Sequence, residues 1–274
     1  MLTRPSLSAR EFLEKLASST GDVPAQDVAI VVAHPDDETI GCAGVLRKLT
    51  GATVIIVTDG APRNLADARR HGFNTAAAYA LTRREELERA MSLVRIAAPK
   101  LIGLGVPDQQ ASFLLAPLSR ALALLFAWHG VSTVFTHAYE GGHPDHDAAA
   151  FAVHGAARLL RRRGVEPLLL EMPFYHLYET APVIQRFAHD HGSGEVAVPL
   201  DVEAEALKRQ MIAAYATQAE ILSPFAANVE RFRPAPDYDF AQLPNRGALL
   251  YERYDWGMTG ELWRSLSSEA LQKI

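Results

Sequence analysis

One histidine and three acidic residues lie within five positions of the sequence, in His34-Pro35-Asp36-Asp37-Glu38, which we call motif 1. The motif follows an apolar, β-branched run at Val28 to Val32, so it stands at the end of a segment typical of a buried strand. Charged side chains are rarely held together in such a place without a partner, because their desolvation costs free energy. Carboxylate oxygens and imidazole nitrogens are both ligands of divalent cations. Motif 1 therefore predicts half of a metal site.

A second cluster, His143-Pro144-Asp145-His146-Asp147, follows another apolar run and is called motif 2. A catalytic zinc site uses about three protein ligands of the His/His/carboxylate kind and leaves one position for water. His34 and Asp37 in motif 1 and one histidine of motif 2 would meet that need. The spacing alone leaves open whether His143 or His146 is the ligand.

The chemistry predicted for such a site is hydrolysis. A metal ion bound there makes water acidic near neutral pH and polarises a carbonyl group. A carboxylate beside the ion, but not bound to it, can take the proton from the water. Two adjacent carboxylates do not easily bind one ion, so Asp37 is expected to hold the metal and Asp36 to act as the base.

The elements that must position both motifs alternate between strand and helix. This order predicts an α/β fold that is Rossmann-like, with a mostly parallel, doubly wound sheet and helices on both faces. Because ligands bind outside the carboxyl ends of strands in such sheets, both motifs should face one edge. Strands are predicted at 28–32, 53–58, 100–104, 132–136 and 167–172, and helices at 8–18, 39–49, 82–97, 112–129 and 144–163.

Two parts of the chain are less regular. Residues 61–81 have no clear period and are predicted to be a functional loop, or a lid with some helix in it. The C-terminal third is less regular. Its sequence predicts a strand at 197–200 and a helix at 202–219. Residues 224–244 are expected to wrap around the domain. Because no linker or repeat interrupts the pattern, we predict a single domain over residues 1–274.

Composition excludes several classes of protein. The 274 residues include 27 basic and 32 acidic ones, giving a net charge of -5, so no nucleic-acid surface is expected. A lone cysteine, Cys42, rules out an intrachain disulfide and fits a cytoplasmic location. No transmembrane segment or signal peptide is expected, since the apolar run at Ala121 to Trp128 is too short and Met1 to Ala17 is interrupted by charges. The sequence is compatible with a homo-oligomer but does not specify the oligomeric state.

The two motifs resemble the PIG-L (LmbE-like) family of zinc-dependent N-deacetylases. The similarity rests on Ala33 to Glu38, on Gly142 to His146, and on their separation of about 110 residues. Weaker similarities lie at 58–60, 83–87 and 104–108 and at Lys208, Tyr215 and Gln218. The resemblance implies that His34, Asp37 and His146 bind one zinc ion per chain. It also implies that Asp36 is the general base, and that His143 stabilises the oxyanion or protonates the leaving amine.

Further residues are assigned by the same resemblance. Arg83 and Asp108 match positions that hold sugar hydroxyls or the head group of the substrate. Asp145 and Asp147 are expected to orient neighbouring histidines through hydrogen bonds, and Glu38 is expected either to do the same or to cap the following helix. The same ligand types also suit iron, cobalt or manganese.

One position departs from the family. Some members carry a tyrosine two residues before the first histidine of motif 2, where this chain has Gly141. Tyr139 is nearby and is taken as a candidate for contact with the substrate amide, and Glu140 is the other neighbour. If neither residue takes the role of that tyrosine, zinc and His143 alone stabilise the oxyanion.

The resemblance implies an amide hydrolase that releases acetate, or another short acyl group, from an N-acylated amino sugar or a similar small metabolite. An alternative within hydrolases is a deacylase of a non-sugar N-acyl compound, such as an antibiotic precursor or a thiol conjugate. A third hypothesis, from another class, is a metal-binding or small-molecule-binding protein without turnover.

Overall fold

The computed structural model describes residues 8–18, 21–189 and 194–274 of the chain. The strands among these residues are β1 (Val23–Pro24), β2 (Val28–Val32), β3 (Leu49–Thr50), β4 (Thr53–Thr58), β5 (Leu101–Val106), β6 (Thr133–His137), β7 (Leu168–Met172), β8 (Tyr175–Tyr178), β9 (Ala181–Ile184), β10 (Val196–Pro199) and β11 (Val229–Pro234). The α-helices are α1 (Ala9–Ser18), α2 (Asp37–Leu46), α3 (Ala66–Arg70), α4 (Ala76–Leu93), α5 (Leu115–His129), α6 (Pro144–Arg161), α7 (Val202–Ala213), α8 (Ala219–Leu222) and α9 (Gly260–Lys273).

Seven strands form the main sheet, in the order β10-β11-β7-β6-β2-β4-β5. The five from β7 to β5 are parallel, whereas β11 and β10 join antiparallel at the other edge. Every residue of β2, β4 and β6 is buried, as expected for parallel strands covered on both faces. The predicted α/β fold with a mostly parallel sheet is confirmed.

Helices cover both faces of the sheet. On one face, Val31 and Ile55 belong to a core that includes residues of α5, α6 and α9. On the other face, Ile30 and Val54 belong to a core with residues of α1, α2, α4 and α7. Adjacent strand residues therefore supply different cores, because successive side chains of a strand point to opposite faces.

The helix predicted to begin at Thr82 begins at Ala76 instead. The Thr75 side chain caps it by accepting a hydrogen bond from the N–H of Ala78 at 3.1 Å. Thr82 lies inside the helix and its hydroxyl donates to the Ala78 carbonyl oxygen at 3.4 Å. The three alanines at 76–78 favour helix strongly, so they extend it into the segment predicted as a functional loop or as a lid with some helix in it. That segment also holds the short helix α3.

Residues 224–244, which are expected to wrap around the domain, contain the strand β11, which the sequence analysis did not place. This strand joins the sheet beside β7, and its Phe232 is fully buried. Glu230 and Arg233 gave the segment a polar pattern, yet both are buried and paired, with Lys208 and Glu171 respectively. A strand whose inward residues are charged has no apolar alternation to identify it.

Helix α2, which follows motif 1, is broken in its middle at Cys42, where φ is −151° and ψ is 24°. The break leaves backbone groups without helical partners. Glu230 accepts hydrogen bonds from the N–H of Gly44 at 2.8 Å and from the next N–H at 3.0 Å. Lys208 Nζ donates to the Ile40 carbonyl oxygen at 2.9 Å and to Glu230 at 2.9 Å. The C-terminal third thus bridges the break in the helix that carries motif 1.

Among the described residues, the stretch Ala111–His129 is the one helical segment with the length and apolar composition of a membrane span. Its Leu122 and Phe126 side chains are buried in the core shared with α6. The cytoplasmic location and the single domain over residues 1–274 stay predictions. Residues 1–7, within the N-terminal stretch tested for a signal peptide, lie outside the described residues.

Candidate metal centre and active site

Motifs 1 and 2 meet at the carboxyl edge of the sheet. Their strands, β2 and β6, are parallel neighbours, paired from Val28 with Thr133 onward. In the sheet, β4 and β5 lie on one side of β2, and β6 and β7 lie on its other side. This is the topological switch point at which open α/β sheets bind ligands.

The three predicted metal ligands gather around the carboxylate of Asp37. Its Oδ2 atom lies 3.2 Å from His34 Nδ1, and its Oδ1 atom lies 3.4 Å from His146 Nε2. The backbone N–H of His34 also donates to Oδ2 at 2.7 Å, which fixes the carboxylate. All three residues are buried. The structure therefore brings His34, Asp37 and His146 together.

The donor atoms fit a divalent cation. Potential ligand atoms lie within 4.8 Å of one another in three overlapping groups: His34 with His143 and His146, Asp37 with His137 and His146, and His34 with Asp108 and Asp145. Within the described part of the chain, His34 Nε2, Asp108 Oδ1 and His146 Nδ1 are buried without a hydrogen bond. Buried polar atoms left without partners are costly, and a cation would satisfy His34 Nε2 and Asp108 Oδ1, which lie 3.2 Å apart. The nitrogens that face Asp37 are the opposite ones, His34 Nδ1 and His146 Nε2.

His137 is a site residue that the sequence analysis did not assign. It ends β6, and its Nε2 atom accepts a hydrogen bond from the Ala33 N–H at 2.9 Å and lies 3.4 Å from Asp37 Oδ2. Its ring stacks on that of His146, with centroids 4.1 Å apart and planes at 19°. His137 thereby fixes the orientation of His146 and of Asp37. Its position at the end of the strand before motif 2 was the signal that could have identified it.

Asp36 is held by Arg83 in an unusual backbone conformation. Asp36 has φ 128°, which is rare for a residue with a side chain. Arg83 Nη2 donates to Asp36 Oδ2 at 2.9 Å and to the Pro35 carbonyl oxygen at 2.6 Å, while Nη1 donates to the Gly60 carbonyl oxygen at 2.8 Å. Arg83 is expected from the sequence to hold the substrate. It lines the cleft, but these N–H groups bind protein oxygens and position Asp36.

The two adjacent aspartates differ in proton affinity. Burial raises the pKa of Asp36 well above its usual value, although the Arg83 charge opposes this. Burial acts on Asp37 in the same direction, but the charges of His146 and His137 hold the pKa of Asp37 well below its usual value. Two neighbouring carboxyl groups whose pKa values differ in this way typically have different roles. One accepts a proton, and the other remains ionised.

His143 is fixed in one tautomer. It caps helix α6, and its Nδ1 atom accepts a hydrogen bond from the Asp145 N–H at 3.1 Å. Burial and the positive charges of His34 and His146 lower its pKa well below the usual value, so the ring is neutral. A neutral ring that accepts at Nδ1 carries its proton on Nε2. His143 thus offers a hydrogen-bond donor at the site.

Two carboxylates flank His34 on its other side. Asp108 Oδ1 lies 3.2 Å and Asp145 Oδ2 lies 3.4 Å from His34 Nε2. Burial lowers the pKa of His34, but Asp108 and the other carboxylates outweigh it and raise that pKa well above the usual value. Asp145 also accepts hydrogen bonds from the N–H groups of Gln109 and Ala111, at 2.6 and 3.0 Å. It therefore links His34 to the segment after β5.

Glu38 and Asp147 belong to none of the three ligand groups and hydrogen-bond to backbone and hydroxyl groups instead. Glu38 accepts hydrogen bonds from the Asp36 N–H at 3.1 Å, from the Thr39 hydroxyl at 2.6 Å and from the Tyr215 hydroxyl. Asp147 Oδ1 accepts from the N–H groups of the two residues at 140–141, both at 3.1 Å. Burial raises the pKa of Asp147 to about 8.

Tyr139 is not brought to the site. Its hydroxyl donates to the Gln242 carbonyl oxygen at 2.8 Å and accepts from Trp263 Nε1 at 2.6 Å. It borders a separate cavity of about 620 Å³, larger than the one at the motifs but free of motif residues. At Gly141, φ is 72°, so a tyrosine there would be strained.

The cleft above the motifs has a volume of about 130 Å³. Its polar side includes Asp36, Arg83 and Asp108, and its apolar side is lined by Ile40, Tyr175, Ile221, Leu222, Phe225 and Trp256. The Trp256 ring packs on His143 with centroids 4.5 Å apart. Tyr175 and Trp256 come from elements that the sequence analysis did not place. No local pattern in the sequence associates them with the motifs.

The comparisons with known proteins agree with this architecture. A family model described as GlcNAc-PI de-N-acetylase (PIG-L) matches residues 29–157. No curated protein sequence matches the chain.

Solved structures share the fold. A pseudoaglycone deacetylase of the antimicrobial reagent A40926 is 20% identical, with a TM-score of 0.59 over 76% of this chain and 96% of that one. The zinc-inhibited form of a teicoplanin deacetylase is 15% identical, with a TM-score of 0.59 over 77% and 98%. The N,N'-diacetylchitobiose deacetylase from Pyrococcus horikoshii, complexed with its inhibitor MPG, is 20% identical, with a TM-score of 0.55 over 83% and 90%. The match to the PIG-L family model thus spans residues 29–157, which carry both motifs, and the solved structures that share the fold are deacetylases.

Proposed function

We propose that the protein is a divalent-metal-dependent N-deacylase that releases acetate, or another short acyl group, from an amino-sugar-containing small molecule. The observation that carries the proposal is the position of the Asp37 carboxylate between His34 Nδ1 and His146 Nε2, at 3.2 and 3.4 Å, with Asp36 next to it in the chain. His34, Asp37 and His146 would hold the ion, preferentially zinc. The ion, when bound, supplies an acidic water and polarises the amide carbonyl.

The remaining steps belong to side chains of this chain. Asp36 takes the proton of the attacking water, since burial raises the pKa of this carboxyl group and Arg83 fixes its carboxylate. His143 Nε2–H donates a hydrogen bond to the amide oxygen as negative charge develops on it. His137 and Asp145 keep the rings of His146 and His34 in place.

The family description and the three deacetylases support the sugar part of the proposal. The matching family is described as acting on GlcNAc-PI, and one solved relative is a diacetylchitobiose deacetylase. Asp108, in the polar lining of the cleft, would face the hydroxyl groups of such a sugar.

The test is acetate release by metal-reconstituted protein from a panel of N-acetylated metabolites, with and without a chelator. Asp36→Ala should keep its fold and metal content but lose kcat by about 10²–10⁴-fold, the usual effect of removing a general base. Asp27→Ala is the matched control, because Asp27 precedes β2 at the opposite end and bonds the Ser132 hydroxyl. Undiminished activity in Asp36→Ala would remove the proposed base. Bound metal without turnover of any substrate would favour the non-catalytic hypothesis.

The apolar side of the cleft favours a second candidate, a deacylase of non-sugar N-acyl compounds. Ile221 is 55% exposed at this wall, next to Phe225 and Trp256, so a bulky apolar group could be bound there. The substrate panel separates the two candidates. Faster turnover of N-acetylglucosamine conjugates than of N-acyl amino acids supports the amino sugar, and the reverse order supports the second candidate.

A further inference from the structure

Tyr175 stands directly over motif 2 although it is distant in sequence. It is the first residue of β8, shortly after the end of β7. Its ring lies 5.2 Å from the His146 ring, centroid to centroid, and the residue lines the cleft together with His34 and His143.

The backbone of Tyr175 is fixed to the motif 2 segment on both sides. Glu140 Oε1 accepts hydrogen bonds from the N–H groups of Phe174 and Tyr175, at 2.8 and 3.1 Å. A Cβ atom at position 142 would lie 2.0 Å from the Tyr175 carbonyl oxygen, so the close approach requires Gly142. These contacts hold the side chain at a defined place in the cleft.

The Tyr175 hydroxyl is unengaged. Across residues 8–18, 21–189 and 194–274 it makes no hydrogen bond, whereas the Tyr139 and Tyr215 hydroxyls bond to protein groups. The Tyr251 hydroxyl is fully buried without a hydrogen-bond partner, whereas the Tyr175 hydroxyl is not fully buried. A phenol held rigidly in a catalytic cleft with a free O–H is a donor that a ligand can use.

We infer that Tyr175 is a catalytic residue of the proposed deacylation, and that its hydroxyl donates a hydrogen bond to the substrate's amide oxygen. The inference rests on the proposed function. The water oxygen forms a bond to the acyl carbon, the carbonyl π electrons move to the amide oxygen, and Asp36 takes the water proton. The C=O bond then re-forms as the C–N bond breaks, and the nitrogen leaves with the proton that Asp36 took from the water. Tyr175 keeps its own proton and, with His143, stabilises the oxyanion.

This assignment also accounts for Gly141. The position at which some relatives carry tyrosine has φ 72° here, and a Cβ there would lie 3.0 Å from Leu249. Tyr175, a donor from β8, lines the same cleft, so glycine at 141 does not leave the amide oxygen to His143 alone.

The test compares Tyr175→Phe with Tyr178→Phe, which makes the same change on the same strand at a side chain that is 62% exposed. Loss of one oxyanion donor should lower kcat by about 10²–10³-fold with KM nearly unchanged. Tyr178→Phe should match the wild type. Metal content and the circular dichroism spectrum should be the same in all three proteins.

A binding measurement supplies a readout other than turnover. A phosphonate analogue of the tetrahedral intermediate should bind Tyr175→Phe more weakly by a factor similar to the loss of kcat/KM, while the product amine binds equally. Wild-type kcat in Tyr175→Phe, or a change in KM alone, would overturn the inference and leave the proposed function standing. A wild-type protein that hydrolyses no N-acyl substrate would instead overturn the proposed function.

Discussion

Arg83 Nη2 donates to Asp36 Oδ2 at 2.9 Å, and both side chains are buried. The arginine also donates hydrogen bonds to two backbone carbonyl oxygens, those of Pro35 and Gly60. This one residue therefore fixes the carboxylate expected to act as the base and adjusts its proton affinity.

Replacing Arg83 should change the pH dependence of the reaction. The Arg83 charge lowers the pKa of Asp36 against the effect of burial. In Arg83→Met that pKa rises further, and Asp36 must be deprotonated to act. The acid limb of the kcat/KM profile should therefore move to higher pH, by about 1–3 units. Arg84→Met is the control, because Arg84 pairs with Glu88 at the surface. Superimposable wild-type and Arg83→Met profiles would contradict the assignment.

Metal affinity should increase with pH. The carboxylates Asp108, Asp145 and Asp37 raise the pKa of His34 well above its usual value, so the metal-free ring carries a proton that a cation must displace. Affinity should rise about tenfold per pH unit while His34 remains protonated. Competition with a chromophoric chelator measures this. Asp108→Asn removes the carboxylate that raises the pKa of His34 most, so the rise in metal affinity should occur at lower pH. Equal affinity at all pH values would refute the protonation of His34.

Asp147 should make the fold less stable as pH rises. Burial raises its pKa to about 8 in the folded state, against about 3.9 in an unfolded chain. Between these values the folded state holds a proton that the unfolded state has released, so the free energy of unfolding falls with increasing pH. Asp147→Asn keeps an oxygen acceptor for the two N–H groups but cannot ionise. Urea titrations should show its stability rising relative to wild type from about pH 4 to about pH 8, and a constant difference would contradict the prediction.

The buried pair Lys208–Glu230 should be critical for stability. Both side chains are fully buried and 2.9 Å apart, so Lys208→Met leaves an unpaired charge in the core. Loss of one partner of a buried pair costs about 3–5 kcal/mol. Arg209→Met, the next residue on α7, removes an exposed pair with Glu205 and should cost less than about 1 kcal/mol. Chemical denaturation of metal-free protein measures both values, and equal costs would show that burial does not decide the effect.

The sequence predicted the site better than its surroundings. Motif 1 and β2 lie together in the chain, and a parallel sheet brings strand ends to one edge, so local patterns sufficed to associate His34 and Asp37 with His146. Tyr175 and Trp256 reach the cleft through a hairpin and a C-terminal loop whose paths depend on tertiary packing. Their sequences carry no periodicity that encodes these contacts.

The strand β11 illustrates a different limit. Its Glu230 and Arg233 are buried because partners elsewhere in the chain neutralise them, and these partners are visible only in three dimensions. Similarly, Thr75 rather than Thr82 begins α4, since both positions offer a plausible cap and packing decides between them.

The bridging of α2 by Lys208 and Glu230 has a consequence for biosynthesis. Residues 29–157 include every expected metal ligand, yet the helix after motif 1 depends on two residues near the end of the chain. A nascent chain emerges from the ribosome with its ligands complete and its α2 break still open. We expect such an intermediate to bind metal weakly. Cofactor acquisition would then follow synthesis of the segment that carries Lys208 and Glu230, and chains that terminate before it would not sequester metal.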